Sequence, residues 1–324
     1  MRTLEELAEI TERSIIGLTF PDEPRKLFSP VKYTLEAGGK RIRPLLALAA
    51  CNMFNDNAIE AIDIALGIEV FHNFTLLHDD IMDNAGLRHG RPTVHKKWDE
   101  NTAILSGDAM VIYSYELISR CKPAILGQIL KIFNSVALGV CQGQQYDMDF
   151  ETSGTVSIPE YMEMIRLKTA VLLAGAAQMG ALAGGASYEN SQKMYDFGIV
   201  LGLGFQLQDD VLDTYGDPET FGKNIGGDIE SNKKTFLMLK ALETAGEDDK
   251  KKLLSLIECK DIDKTEKFNA VKEIYDRCNV KESTGTEIEK LHNKAVGILN
   301  GIDLPDDRKN TIREIIEVLI KRDK

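Results

Sequence analysis

The spacing of apolar residues limits what this chain can fold into more than any other feature. Leu, Ile, Val, Met and Ala recur three and four apart almost from end to end, while period-two runs of Val, Ile and Thr bounded by turns are scarce. The pattern predicts helices over about 3–16, 24–37, 41–54, 57–83, 92–98, 101–121, 123–149, 159–185, 189–215, 231–243, 246–257, 263–280, 282–299 and 305–322. Gly38-Gly39, Gly86, Gly154, Pro159, Gly184-Gly185 and Gly216-Asp217-Pro218 fall between these runs and punctuate them. No repeat of solenoid period and no Pro/Ser-rich linker divides the chain. It reads as one all-α domain, 1–324, whose more charged segment near 245–290 makes a smaller helical hairpin on the outside.

Charge narrows the partners. The formal net charge is −12, which argues against a nucleic-acid backbone or an anionic membrane surface as the main partner. An acidic protein that binds an anion needs local cations. Cys51, Cys121, Cys141, Cys259 and Cys278 are scattered, odd in number and never in a C-x-x-C, so neither a disulfide framework nor a zinc site is expected. Residues 170–186, AVLLAGAAQMGALAGGA, are almost free of polar side chains. Their 17 positions fall short of the roughly 20 that span a bilayer, and a buried helix packed through small residues is the better reading. The expectation is a cytoplasmic protein without a transmembrane segment.

Two acidic clusters carry the chemistry. Asp79, Asp80 and Asp83 stand in LLHDDIMD, and Asp209, Asp210 and Asp213 repeat the spacing 130 residues later in FQLQDDVLD. On a helix the first and last of each triplet share a face. Like charges four apart destabilise a helix, and neither cluster has a Lys or Arg within four residues. Grouping carboxylates this way inside apolar helix is costly unless cations join them. Oxygen-only donors favour Mg²⁺, with Mn²⁺ as a substitute. Mg²⁺ completes its shell with water and phosphate oxygens, so the pair of clusters suits a diphosphate. For one triplet alone a solvated helix end would be as good an account; for two identical ones it is a poor account. An EF-hand starting at Asp147 fails, because Thr152 stands where its glycine belongs and Ile158 where its glutamate belongs.

Cations sit where such a ligand wants them. GGKRIRP puts Lys40, Arg41 and Arg43 beyond a Gly-Gly turn, Arg88 and Arg91 follow the first cluster, and Lys168, Lys223, Lys233 and Lys234 flank the second.

Together, GGKRIRP, LLHDDIMD followed by LRHGRPT, GQQYD, LKT, FQLQDDVLD and FGKNIGGD resemble the trans-isoprenyl diphosphate synthases, in family order and most densely over 28–240. The resemblance implies a homodimer of antiparallel helical bundles with the acidic motifs facing across a deep central cavity. It implies that Asp79, Asp80, Asp83, Asp209 and Asp213 hold three Mg²⁺ ions on an allylic diphosphate. Arg88, Lys168, Lys223 and Lys233 would complete that anion site. Lys40, Arg43 and His72 match positions that bind isopentenyl diphosphate. Gln144 and Asp147 match positions near the metals and basic side chains, and Thr169 and Gln206 would sit near the reacting carbons. The family usually carries Arg-Arg after the first motif. This chain has Arg88-His89, and a histidine holds an anion more firmly when protonated.

The implied reaction condenses isopentenyl diphosphate with an allylic primer (dimethylallyl, geranyl or farnesyl diphosphate), head to tail and in trans, releasing pyrophosphate. Product length in this family depends on bulky residues below the first motif. Phe74 and Phe71 lie five and eight residues before Asp79, about 7.5 and 12 Å down an ideal helix. Helical phase puts Phe71 to one side and Phe74 well round the barrel, so only the family comparison points Phe74 into the pocket. An aromatic there resembles synthases of geranylgeranyl diphosphate, with farnesyl or longer polyprenyl diphosphates as alternatives. A class I terpene cyclase would lack the intact second motif and GGKxxR, and a noncatalytic synthase subunit would tend to lose its acidic motifs.

Overall fold

The computed structural model describes residues 1–217, 225–259 and 262–320. They are helical apart from one short hairpin, and they divide into two compact units. The first comprises Met1–Ser135, Leu172–Tyr195 and Ile302–Ile315, and the second Val136–Val171, Asp196–Gly301 and Ile316–Lys324.

In the first unit α1 (Leu4–Ile16) opens with a reciprocal cap: Thr3 Oγ1 accepts from Glu6 N–H while Glu6 Oε2 accepts from Thr3 N–H at 2.8 Å. α2 (Arg25–Leu35) and α3 (Ile42–Phe54) follow, and α3 is buried from Leu46 to Met53. α4 (Ile62–Met82) runs 21 residues and buries most of its first half on all sides, which is what an almost uniformly apolar helix must do. It pairs with α6 (Glu100–Ile118), and the two approach closely because Gly107 has no side chain: a Cβ there would lie 2.2 Å from His78 Nε2. Leu35, Leu66, Val70, Leu77, Met110 and Leu117 form the core between these helices.

The apolar stretch at 170–186 becomes α9 (Val171–Ala183), buried in the protein, where Gly180 lets its backbone rest against Ala47 of α3. A different helix, α7 (Pro123–Thr152), is the one described helix long and apolar enough to cross a membrane by length and composition, with 33% of that window buried. The reading of 170–186 as a buried helix packed through small residues agrees with α9, while α7 passes the length test because it spreads its polar residues thinly.

In the second unit α8 (Ile158–Ile165) carries another capping box, Ser157 with Glu160. It passes through a π-helical turn, Arg166–Ala170, into α9. α10 (Tyr188–Tyr215) ends this unit's acidic motif, followed by the short α11 (Gly227–Glu230) and by α12 (Phe236–Thr244). The charged segment near 245–290 forms α13 (Glu247–Glu258), α14 (Lys264–Arg277) and the start of α15 (Val280–Asn300). Leu237, Leu253, Val271, Ile274 and Val280 give it its own core with α12, so it is more than an external hairpin. α16 (Asn310–Ile320) closes the described chain.

Two sequence expectations need correcting. Residues 92–98 are not one helix: Leu87–Arg88 (β1) pairs antiparallel with Arg91–Pro92 (β2), and only Val94–Lys97 (α5) is helical. His89 and Gly90 both take positive φ, which closes a two-residue turn, and a strand pair this short leaves no period-two signature. The helix expected from 231 starts at Phe236, since Asn232 also has positive φ and Thr235 supplies the cap.

Candidate active site

The first acidic cluster ends α4. Asn84 at φ 50 stops the helix, and the β1–β2 hairpin folds Arg88 back so that its Nε and Nη2 each lie 2.8 Å from Asp80 Oδ1. Asp80 is only 5% exposed. Burial pushes its carboxyl up to about 6, against the pull of Arg88, and the neighbouring Asp79 and Asp83 add to the rise. Asp79 is half-buried and Asp83 exposed.

A cationic group stands beside this cluster in the same unit. The turn at Gly38 and Gly39 has φ 80 and 132, values that only glycine takes readily. After it, Arg41 turns inward. Its Nη1 is 2.7 Å from Glu69 Oε1, its Nη2 donates to the Leu35 carbonyl, and its Nε lies 3.4 Å from Glu12. Arg41 is therefore a structural ion pair, whereas Lys40 is exposed and Arg43 half-buried. Arg43 Nη1 is 3.0 Å from His72 Nε2. A guanidinium only donates, so Nε2 accepts and the ring proton sits on Nδ1. Burial, then the charges of Arg43, Arg88, Arg41 and His89, hold His72 well below the ordinary histidine value, so it is neutral. His89 occupies the hairpin turn and puts Nε2 3.8 Å from where a Gly39 Cβ would be. Lys40, Arg43, His72, Arg88 and His89 thus belong to one neighbourhood.

The second cluster ends α10. Asp209 and Asp213 are half-buried and Asp210 is buried. Asp210 is enclosed by donors: Tyr161 Oη donates to its Oδ2, Phe236 N–H to the same oxygen at 3.3 Å, and Gln206 Nε2 to Oδ1 at 3.1 Å. Burial and the charge of Asp228 nevertheless push Asp210 up to about 8. Asp213 is tied to the segment after the motif, its Oδ2 accepting Asp228 N–H at 3.1 Å and its carbonyl Gly226 N–H at 2.7 Å.

Beside it lies an open cleft of about 120 Å³ lined by Asp147, Lys168, Thr169, Gln206, Lys233 and Lys234, among others. Lys168 Nζ is 2.5 Å from Asp147 Oδ2, and Gln144 stands three residues earlier on α7. The π-helical turn that carries Lys168 lies against Gly143, where a Cβ would sit 2.2 Å from the Lys168 nitrogen. Thr169 Oγ1 donates to Gln206 Oε1 at 3.0 Å. Lys233 and Lys234 both line the cleft, and Lys234 Nζ also caps the end of α7 through the Phe150 and Ser153 carbonyls. Lys223 lies outside the described residues.

These donors suit a hard cation. They are all oxygen, at the i and i+4 positions of helix ends. Among the described residues no three His, Cys, Asp or Glu side chains converge enough to encircle a metal. A divalent cation held by these carboxylates would complete its shell with water or ligand oxygens, as Mg²⁺ commonly does.

The polyprenyl synthetase family model matches residues 24–276. The chain belongs to the polyprenyl synthetase family. A short chain isoprenyl diphosphate synthase of Methanocaldococcus jannaschii is 40% identical over 245 residues, 75% of each chain. A geranylgeranyl diphosphate synthase of Methanosarcina mazei is 40% identical over 222 residues, 68% of each. The crystal structure of a geranylgeranyl pyrophosphate synthase matches with a TM-score of 0.94 at 43% identity, covering the whole of both chains.

In this polyprenyl synthetase an aromatic stack runs below the first motif. Phe71 is buried, with its ring centroid 5.3 Å from both Phe74 and Phe133, and Phe133 lies 4.9 Å from Tyr115. Phe74 is partly buried and also meets His78 at 4.7 Å. Phe71 is a core residue, whereas Phe74 keeps part of its surface open.

Sequence reasoning gave no role to Tyr161 or Asp228, and it counted Lys234 among the cations for the anion without seeing that its amine caps α7. Asp228 had a signal, a carboxylate directly after Gly-Gly. Tyr161 had none, since its partner Asp210 is 49 residues away.

Proposed function

We propose that this polyprenyl synthetase condenses isopentenyl diphosphate with an allylic diphosphate, head to tail and in trans, releasing pyrophosphate and stopping chiefly at geranylgeranyl diphosphate. The observation that carries the reading is the group of Arg43, His72, Arg88 and His89 beside a carboxylate cluster, an arrangement that suits a diphosphate and a divalent cation together. The names of the relatives at about 40% identity support the same activity.

In this mechanism Lys40, Arg43, His72 and His89 bind isopentenyl diphosphate, and Arg88, Lys168, Lys223 and Lys233 bind the allylic diphosphate. Asp79, Asp80, Asp83, Asp209 and Asp213 would hold Mg²⁺, which supplies, when bound, neutralisation of the charge that develops on the leaving group. The allylic C–O bond ionises, the double bond of isopentenyl diphosphate attacks the cation, and the C2 proton leaves to the released pyrophosphate. Gln206 has a fixed amide orientation in this scheme. Its N–H₂ donates to Asp210, so its oxygen faces Thr169, and the Thr169 hydroxyl donates to that oxygen. The Thr169 lone pairs are left to face a developing carbocation. Gln144 and Asp147 steady Lys168, with Asp147 as its ion-pair partner.

The functional protein in this reading is a cytoplasmic homodimer with no nucleic-acid partner, and each chain acts as one catalytic domain. Leu105 and Ile112, 59% and 69% exposed and seven residues apart on α6, offer an apolar face for the partner copy. α7 is anchored in the core at Phe133, whose ring packs against Phe71 and Tyr115.

Product analysis tests the proposal. Purified protein, Mg²⁺, labelled isopentenyl diphosphate and each allylic primer in turn are incubated, dephosphorylated and resolved by length. A dominant C20 product is expected. Mainly C15 or C30 would overturn the chain length, and no elongation with any primer would overturn the reaction.

A further inference from the structure

Lys267 on α14 is used by none of these steps. It is 6% exposed, and its Nζ donates to one neutral acceptor, Asn232 Oδ1, at 2.6 Å. Burial pushes its ammonium below the ordinary lysine value, and the nearby Cys259 and Glu230 pull it back. Its neighbours around a small cavity include Leu253, Ile257 and Val271. A buried ammonium with one neutral partner is a poor stabiliser beside an apolar chain of the same length. Packing therefore does not explain a lysine here.

What the amine holds does. Asn232 has φ 56, in the left-handed region, which Asn enters more readily than other residues with a Cβ. The next residue is Lys233, whose N–H donates to the Asp228 carbonyl at 2.9 Å and whose own carbonyl accepts Thr235 N–H at 2.9 Å. The conformation of Asn232 thus sets the direction from which Lys233 reaches the cleft. The same helix grips the other end of this segment. Gly226 has φ 84, and a Cβ on it would lie 2.5 Å from the Phe268 ring, while Lys264 pairs with Glu230.

We propose that Lys267 is a positioning residue for the diphosphate cleft: it holds the Asn232 turn so that Lys233 meets the allylic diphosphate. The proposal rests on the assignment of that cleft to diphosphate. The chemistry it serves is anion binding rather than bond making, so its loss changes affinity and leaves the chemical step nearly intact.

The test compares wild type, Lys267→Met, Lys267→Arg and Asn232→Gly by calorimetric titration with inorganic pyrophosphate in Mg²⁺ buffer and by steady-state kinetics. Lys267→Met and Asn232→Gly are expected to weaken pyrophosphate binding and raise KM for the allylic diphosphate about tenfold, with kcat within about twofold, since a charged contact is misdirected and the reacting groups are untouched. Lys267→Arg recovers most of the affinity, and Lys267→Met melts no lower than wild type. Asn232→Gly keeps the left-handed turn accessible and carries the test if Lys267→Met does not fold. Wild-type affinity and KM in the folded variants overturn the positioning role alone. A wild-type protein that neither binds pyrophosphate nor elongates a primer overturns the cleft assignment and the positioning role with it.

Discussion

Arg88, at the end of β1, reaches back to the end of α4 and sets two guanidinium nitrogens 2.8 Å from the same oxygen of Asp80. Of the first acidic triplet, Asp80 is thereby the buried member, while Asp79 is half-buried and Asp83 exposed. In the second triplet too the middle member is the buried one, Asp210, enclosed by Tyr161, Gln206 and Phe236 N–H, with Asp209 and Asp213 half-buried.

That division predicts how the carboxylates respond to removal. Asp79→Ala and Asp209→Ala are expected to lower turnover by at least about a thousandfold while melting within a few degrees of wild type, because neither side chain is buried in the core. Chelation of divalent cations should abolish elongation in the wild type. Normal turnover in either variant would remove that residue from the metal set.

Phe71 and Phe74 should part company. Phe74→Ala is expected to lengthen the product, read as a shift from C20 towards C25 and beyond, with modest loss of stability. Phe71→Ala opens a cavity between Phe74 and Phe133 and should cost about 3–5 kcal/mol in denaturant unfolding. An unchanged product distribution in Phe74→Ala would place the floor elsewhere, around Met110 to Tyr115.

Neighbours in the basic motif should also behave differently. Arg41→Met leaves Glu69 buried without its ion-pair partner, and breaking such a pair costs about 3–5 kcal/mol. Chemical denaturation should show that loss. Lys40→Ala is exposed and should keep wild-type stability while raising KM for isopentenyl diphosphate.

His72 makes stability depend on pH. Its folded pKa lies below the unfolded value of about 6.5, so from that value downward the unfolded chain binds a proton that the folded chain refuses. The contribution is fully present above about pH 6.5 and is lost as pH falls towards the folded value, at no more than about 1.4 kcal/mol per pH unit for one proton. Unfolding measured from pH 7.5 to 5 should show a shallower slope in His72→Asn than in wild type. Equal slopes would mean that His72 is charged in the native protein.

The helical class and the places of both acidic motifs at helix ends were legible in the residues, because helical periodicity and i,i+4 spacing are local. Gly143 shows where that reading stops. Nothing near it says that a side chain there would strike the Lys168 backbone, since Lys168 is 25 residues away and meets it only through folding. The β1–β2 hairpin was missed for a related reason: four strand residues are too few to leave an alternating pattern.

The sequence by itself determined which groups could do chemistry, through charge clustering that an apolar helix would not otherwise tolerate. It could not divide labour among adjacent like residues. Arg41 and Arg43 differ by two positions, yet one is sealed against Glu69 and the other meets His72. Lys233 and Lys234 are consecutive, yet Lys234 is spent on the α7 carbonyls. Only the tertiary structure decided these, because direction and burial come from partners distant in the chain. The energy of a charge depends on those partners far more than on its neighbours in sequence.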